Sequence, residues 1–232
     1  TDDPDKKDLV VQVKEAKTGT FSFGGGYSTV DQLVGFVEIE QKNFDFTNWP
    51  TFTGGGQNLS LRAETGSTRS NQRLSFTEPW LFDYPISAGF DIYRSERSRE
   101  SNVGFAYDEK RIGGNLRLGK QFTDFVSGNV NYTHENIEID NFELGVSADL
   151  LAEEGKNTVS SMGFGLTRDS RDSVFNPTKG WYLNGSTDVA GGLLGGDKDF
   201  VRFTPRTSYN IPFKFNSVFE IRLMGGIVDA YG

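Results

Sequence analysis

ISAGFDIY, residues 86–93, places Ile86, Ala88, Phe90 and Ile92 on one side of an extended chain and Ser87, Gly89, Asp91 and Tyr93 on the other. Side chains of a strand alternate faces with a period of two, so the stretch reads as a β-strand with one apolar and one polar face. The pattern repeats on both sides of it. NLSLRAET (58–65) sets Leu59, Leu61 and Ala63 against Ser60, Arg62 and Glu64, and RLSFTEPW (73–80) sets Leu74 and Phe76 against Arg73, Ser75 and Thr77. NLRLGK, VSGNVNYT, SMGFGLTR, WYLNGSTDV, FVRFTPRTSY and VFEIRLMG continue it toward the C-terminus, and FSFGGGY and LVGFVEIEQ begin it. About eleven such segments occur, each close to the ~9–11 residues of a tilted membrane strand.

Two architectures accept this pattern, a large soluble sandwich and a membrane barrel. In a sandwich the apolar face is internal and the polar face solvated; in a barrel the apolar face meets lipid and the polar face lines the lumen. A negative mean hydropathy does not separate them, because half of a membrane strand's positions are polar. Aromatic placement does. Trp, Tyr and Phe gather at strand ends in EPWLFDYP (78–85) and NPTKGWYL (176–183), as interfacial belts require. Gly accounts for 28 and Phe for 20 of the 232 residues, a composition of many strands and tight turns. The expected fold is therefore all-β, an antiparallel transmembrane barrel.

Other classes are excluded or unsupported. No apolar run approaches the ~18 residues of a transmembrane helix. The absence of cysteine removes disulfide scaffolds and thiolate metal sites, and a formal charge of -8 without basic runs disfavours nucleic acid. His134 is the single histidine, so a barrel lipase would need a serine placed beside it. No cofactor, no metal and no enzymatic activity are expected. The connections LFDYP and QFTDF read as tight turns on one side. RSERSRESNVGFAYDEKR and DNFELGVSADLLAEEGKN read as long loops on the other, with a brief helix within 144–154.

Three consecutive glycines, Gly24, Gly25 and Gly26, interrupt the first barrel segment, where they should weaken a strand. A β-bulge or room for a bulky neighbour would account for them. A phosphate-binding loop would not, since no lysine and no helix pattern follow. A second conspicuous stretch is TRDSRDSVFNPTKG (167–180), where Arg168, Asp169, Arg171 and Asp172 alternate in sign before a turn. Ion pairs that stabilise the turn are one reading of it.

Taken together, residues 9–44, FTEPWLFDYPISAGFDIYR, TRDSRDSVFNPTKGWYL and MGGIVDAYG resemble the BamA-type outer-membrane assembly factors, in which polypeptide-transport-associated (POTRA) domains precede a barrel. The resemblance implies that 1–18 form the last strand of a periplasmic POTRA domain plus linker, and that 19–232 form about the first 11 of 16 barrel strands. An unpaired membrane edge is costly, so the functional barrel is expected to include more chain than this. The resemblance further implies an integral protein of the bacterial outer membrane that folds and inserts other barrels. Its partners would be membrane lipid, unfolded barrel clients and accessory lipoproteins. The first strand would form a weak lateral seam, with Thr20, Phe21, Ser22, Phe23, Gly24, Gly25, Gly26, Tyr27 and Ser28 as the client-pairing surface. Arg168, Asp169, Arg171, Asp172 and Asp229 become candidates for ion pairs inside the lumen. A polypeptide-secreting transporter of the same superfamily and a passive porin-like channel are the alternatives.

Overall fold

The computed structural model describes residues 17–29, 31–99 and 106–231. The proposed POTRA strand, within DLVVQVKEAKTG, lies almost wholly outside the described residues. The described chain forms β1 (Gly19–Ser28), β2 (Gln32–Phe44), β3 (Gln57–Gly66), β4 (Arg69–Glu78), β5 (Ile86–Arg97), β6 (Asp108–Thr123) and β7 (Val126–Asp140). It continues through β8 (Gly155–Asp169), β9 (Gly180–Ala190), β10 (Phe200–Pro212), β11 (Val218–Met224) and β12 (Ile227–Ala230). All belong to one antiparallel sheet in which β1 to β11 pair in sequence order and β12 pairs with β10.

β11 and β12 are two halves of one ribbon. Met224 faces Arg206 and Ile227 faces Phe203, so the register against β10 is unbroken, and the Gly225 N–H still donates to the Pro205 carbonyl at 3.1 Å. Eleven ribbons result, as the alternation predicts.

Register carries that alternation across the whole sheet. Phe21 lies opposite Ile39, Ile39 opposite Leu61, Leu61 opposite Leu74 and Leu74 opposite Ile92. A second line runs Phe90, Leu116, Tyr132, Met162, Val189 and Val201. Among the described residues nothing covers this face. Leu116 is 60% and Leu223 64% exposed, and Ala190 is the one buried hydrophobic residue among the described residues. A sandwich would bury these side chains against a second layer, gaining about 1.5–3 kcal/mol for each. A single layer with an unbroken apolar face is instead matched to lipid.

Where the apolar line needs an aromatic at the membrane boundary, β2 changes parity. The register shifts between Gln41 and Phe44, turning the Phe44 ring to within 6.5 Å of Phe76 and 6.1 Å of Phe52. Phe76 stacks on Phe90, and Trp49 packs edge-on against Phe52. This cluster belongs to the lower rim, the side of the sheet on which β1 begins. The lower rim also presents Trp80, Phe82, Phe125, Phe175 and Phe215, all exposed.

Loop length follows the expected asymmetry only in part. The connections 79–85 and 124–125 are on the lower rim, while β5 ends and β6 begins on the upper, where 141–154 also lies. Yet the lower rim also carries 45–56 and 170–179, while the upper carries the two-residue turn 67–68. The ends of the two long segments are strand, β5 and β6 taking 94–97 and 108–111 and β7 and β8 taking 140 and 155–157, because β6, β7 and β8 have 16, 15 and 15 residues and outrun the hydrocarbon band. The expected helix is a single turn, α1 (Ala148–Leu151), capped by Ser147, whose hydroxyl accepts from the Leu150 N–H at 3.3 Å.

Candidate functional site

Among the described residues β1 pairs with β2 alone, over ten consecutive positions from Gly19 opposite Gln41 to Ser28 opposite Gln32. No residue is skipped, so the three glycines do not form a bulge. Gly24 has a local cause. A β-carbon there would lie 2.9 Å from the Phe36 ring, which fills the space above it. Gly25 approaches the Val34 carbonyl and would place a β-carbon 3.2 Å from it, whereas Gly26 has nothing within 4 Å. Packing thus explains one glycine well, a second in part and the third not at all.

The side chains of Thr20 to Tyr27 make no hydrogen bond or ion pair among the described residues; Ser28 alone accepts one, from the Asp31 N–H at 2.7 Å. Phe21 and Phe23 touch each other at 5.9 Å and point outward, Phe23 being 75% exposed. The second backbone edge of β1 has no partner strand among the described residues.

Neighbouring strands are fastened differently. On the inner face Arg62 lies over Phe36 at 4.5 Å and bridges Glu38 and Glu64, each at 3.1 Å, while Arg69 reaches Glu64 at 3.0 Å and Asp31 at 3.6 Å. In mid-sheet, Asp91 accepts from the Ser75 hydroxyl at 2.6 Å and pairs with Arg117 at 3.3 Å. Tyr93 donates to Glu135 at 2.8 Å, and Asn115 to Thr133 at 2.6 Å. These links cross from strand to strand and begin at β2. The sheet is tied in its middle and bare along its first strand.

Of the five charged lumen candidates, Asp169 and Arg171 pair with each other through two bonds of 2.8 and 2.7 Å, and the Arg171 guanidinium lies 5.0 Å over the Tyr182 ring. That pairing holds the Arg171 proton more firmly than in a free arginine. Asp172 organises the turn, accepting from the Thr178 hydroxyl and from the N–H groups of Thr178 and Lys179. These bonds, the Thr178 hydroxyl foremost, pull its pKa down to about 2. Arg168 and Asp229 occupy the outward-facing rows, opposite Leu183 and Val201 respectively.

His134 meets Ser160, with Nδ1 and Oγ 2.8 Å apart. Ser160 is only 2% exposed, and Asn136, two residues beyond His134 in β7, accepts a bond from the Thr158 hydroxyl. The hydroxyl is thus closed to substrate, so the contact reads as a cross-strand hydrogen bond rather than a nucleophile and its base.

An open antiparallel sheet with one lipid-matched face and one charged face defines part of an outer-membrane β-barrel. The chain belongs to the Omp85 superfamily, whose domain matches residues 51–232. It is similar to the outer membrane protein assembly factor BamA of Nitratidesulfovibrio vulgaris, with 28% identity over 98% of this chain and 27% of the relative. Against BamA of Neisseria meningitidis the identity is 25% over 99% of this chain and 29% of that protein. The chain therefore spans little more than a quarter of these relatives. A crystal structure of BamA from Haemophilus ducreyi lacking POTRA domains 1-3 superposes with a TM-score of 0.73 at 21% identity, covering 94% of this chain and 42% of that one.

Proposed function

We propose that this chain is the leading part of an outer-membrane assembly factor whose first strand templates incoming barrel clients. The observation that carries this reading is the contrast between β1, whose residues 20–27 make no side-chain hydrogen bond or ion pair among the described residues, and the polar side-chain links that fasten the strands after it. A free strand edge recruits another strand through its N–H and C=O groups, which reads main chain rather than sequence and so suits many clients. Gly26, with no packing cause, keeps the edge easy to release.

In this reading the residues before Gly19 close a periplasmic POTRA domain, the lower rim faces the periplasm, and accessory lipoproteins dock on parts of the protein outside this chain. Asp169 and Arg171 line the lumen near the lower rim as a mutual ion pair. No covalent step is required: pairing at the edge supplies the client with backbone partners before it enters hydrocarbon.

The test is folding of a urea-denatured barrel client onto vesicles holding the full-length parent protein. Faster acquisition of heat-resistant mobility than on empty vesicles supports the assembly reading. Unchanged folding with client delivered into the vesicle interior supports a secretion transporter, and unchanged folding with leakage of small solutes supports a porin.

A further inference from the structure

The outward face is not evenly filled. Across β8 to β11 it sinks into a groove of about 710 Å³ lined by Leu166, Leu183, Gly185, Pro205, Leu223 and Arg168 among others, with Arg206 at its wall on the inward-facing alternation of β10. Register explains the hollow: Leu166, Gly185 and Pro205 stand side by side and Gly225 follows, so little side-chain volume occupies the centre. The next line toward the lower rim is Arg168, Leu183, Thr207 and Leu223.

Arg168 is exposed and has no hydrogen bond, ion pair or ring contact among the described residues. One alternation further down, Trp181 stacks on Tyr209 at 4.1 Å, the kind of aromatic pair that marks headgroup depth. A guanidinium on a lipid-facing row is expensive in hydrocarbon and tolerable beside headgroups. An adjoining groove of about 320 Å³ repeats the design, with Leu118, Phe164 and the shared Leu166 in its walls and exposed Lys120 at its end. Among the described residues neither groove has a carboxylate in its lining.

We propose that the larger groove is a site for an anionic glycerophospholipid, with an acyl chain along Leu166, Gly185 and Pro205 and the phosphate on Arg168. The planar guanidinium binds phosphate through two parallel donors. An apolar trough ending in an unpaired cation matches the tail and head of such a lipid, and the lack of carboxylates gives a choline or ethanolamine group no partner. The inference rests on the sheet lying in a bilayer and is independent of strand templating, so either can fail alone.

The experiment reconstitutes the full-length parent protein in nanodiscs of equal phosphatidylglycerol and phosphatidylcholine, then counts retained lipids by native mass spectrometry. Wild type should retain phosphatidylglycerol over phosphatidylcholine by at least about fivefold, a modest difference in affinity. Arg168→Gln should bring the ratio close to one. Gly185→Leu fills the trough and should reduce retained lipid of both kinds; a β-carbon at Gly185 meets nothing nearer than Phe203 at 3.9 Å. A wild-type ratio in Arg168→Gln overturns the proposal. Should that variant fail to fold, a probe inside the trough decides: in Phe203→Trp, whose ring adjoins Gly185, tail-brominated phosphatidylglycerol should quench the introduced tryptophan more than brominated phosphatidylcholine, with wild type giving the background. Equal quenching overturns the site.

Discussion

The Phe36 ring occupies the space that a β-carbon on Gly24 would need, 2.9 Å from where that atom would stand. Arg62 lies over the same ring, so one aromatic side chain joins the bare first strand to the charged network behind it.

Gly24→Val should therefore destabilise the β1–β2 hairpin by roughly 1–3 kcal/mol, the usual cost of overpacking. Gly26→Val meets open space and should leave stability equal or raised, since it removes the backbone freedom of glycine. Urea midpoints of the two full-length variants check the contrast. On the templating reading Gly26→Val, although stable, should slow client folding, which a purely structural glycine would not do.

In mid-sheet, Asp91→Ala should cost about 1–3 kcal/mol, because it strips the acceptor from both Ser75 and Arg117 at a position only 6% exposed. Breaking the exposed Arg222–Glu220 pair should shift the same urea midpoint by little or nothing. Equal effects of the two substitutions would contradict the picture of a sheet fastened at its centre.

The turn at 170–179 should respond to acid. Asp172 has a folded pKa of about 2, below its ordinary value of 3.8. A depressed carboxylate stabilises the fold above its unfolded pKa, and that contribution fades as pH falls from about 4 toward 2. Protection factors of the Thr178 and Lys179 amides, each exchange rate taken relative to the intrinsic rate at the same pH, should fall across that window, and Asp172→Asn should show low protection at every pH. Wild-type protection factors that stay constant between pH 5 and 2 would contradict the assignment.

Alternation makes the sheet legible in the sequence itself, because a period of two is a local property: 86–93 reads identically alone or paired. The same alternation sorts the charged stretch that follows β8. In SMGFGLTR the outward residues are Met162, Phe164 and Leu166, so Arg168 belongs to the same row and Asp169 to the opposite one, although the density of charge suggests a single lumen cluster. Asp229 follows Ile227 in the same way. The cause of Gly24 is not legible, because Phe36 reaches it only through the β1–β2 register. Phe44 reaches the aromatic rim through a register shift that no local pattern announces. Loop lengths mislead in part, since strand continues into stretches that are polar enough to pass for loop.

The central claim is that β1 pairs with a client strand, and site-specific crosslinking tests it most directly. This chain contains no cysteine, so single cysteines introduced at 20–28 of the full-length protein report without interference from it. During assembly of a client carrying one cysteine in its terminal strand, crosslinks should form along 20–28 with a periodicity of two and be absent at 86–93. Efficient crosslinking at 86–93 with none at 20–28 would contradict the account.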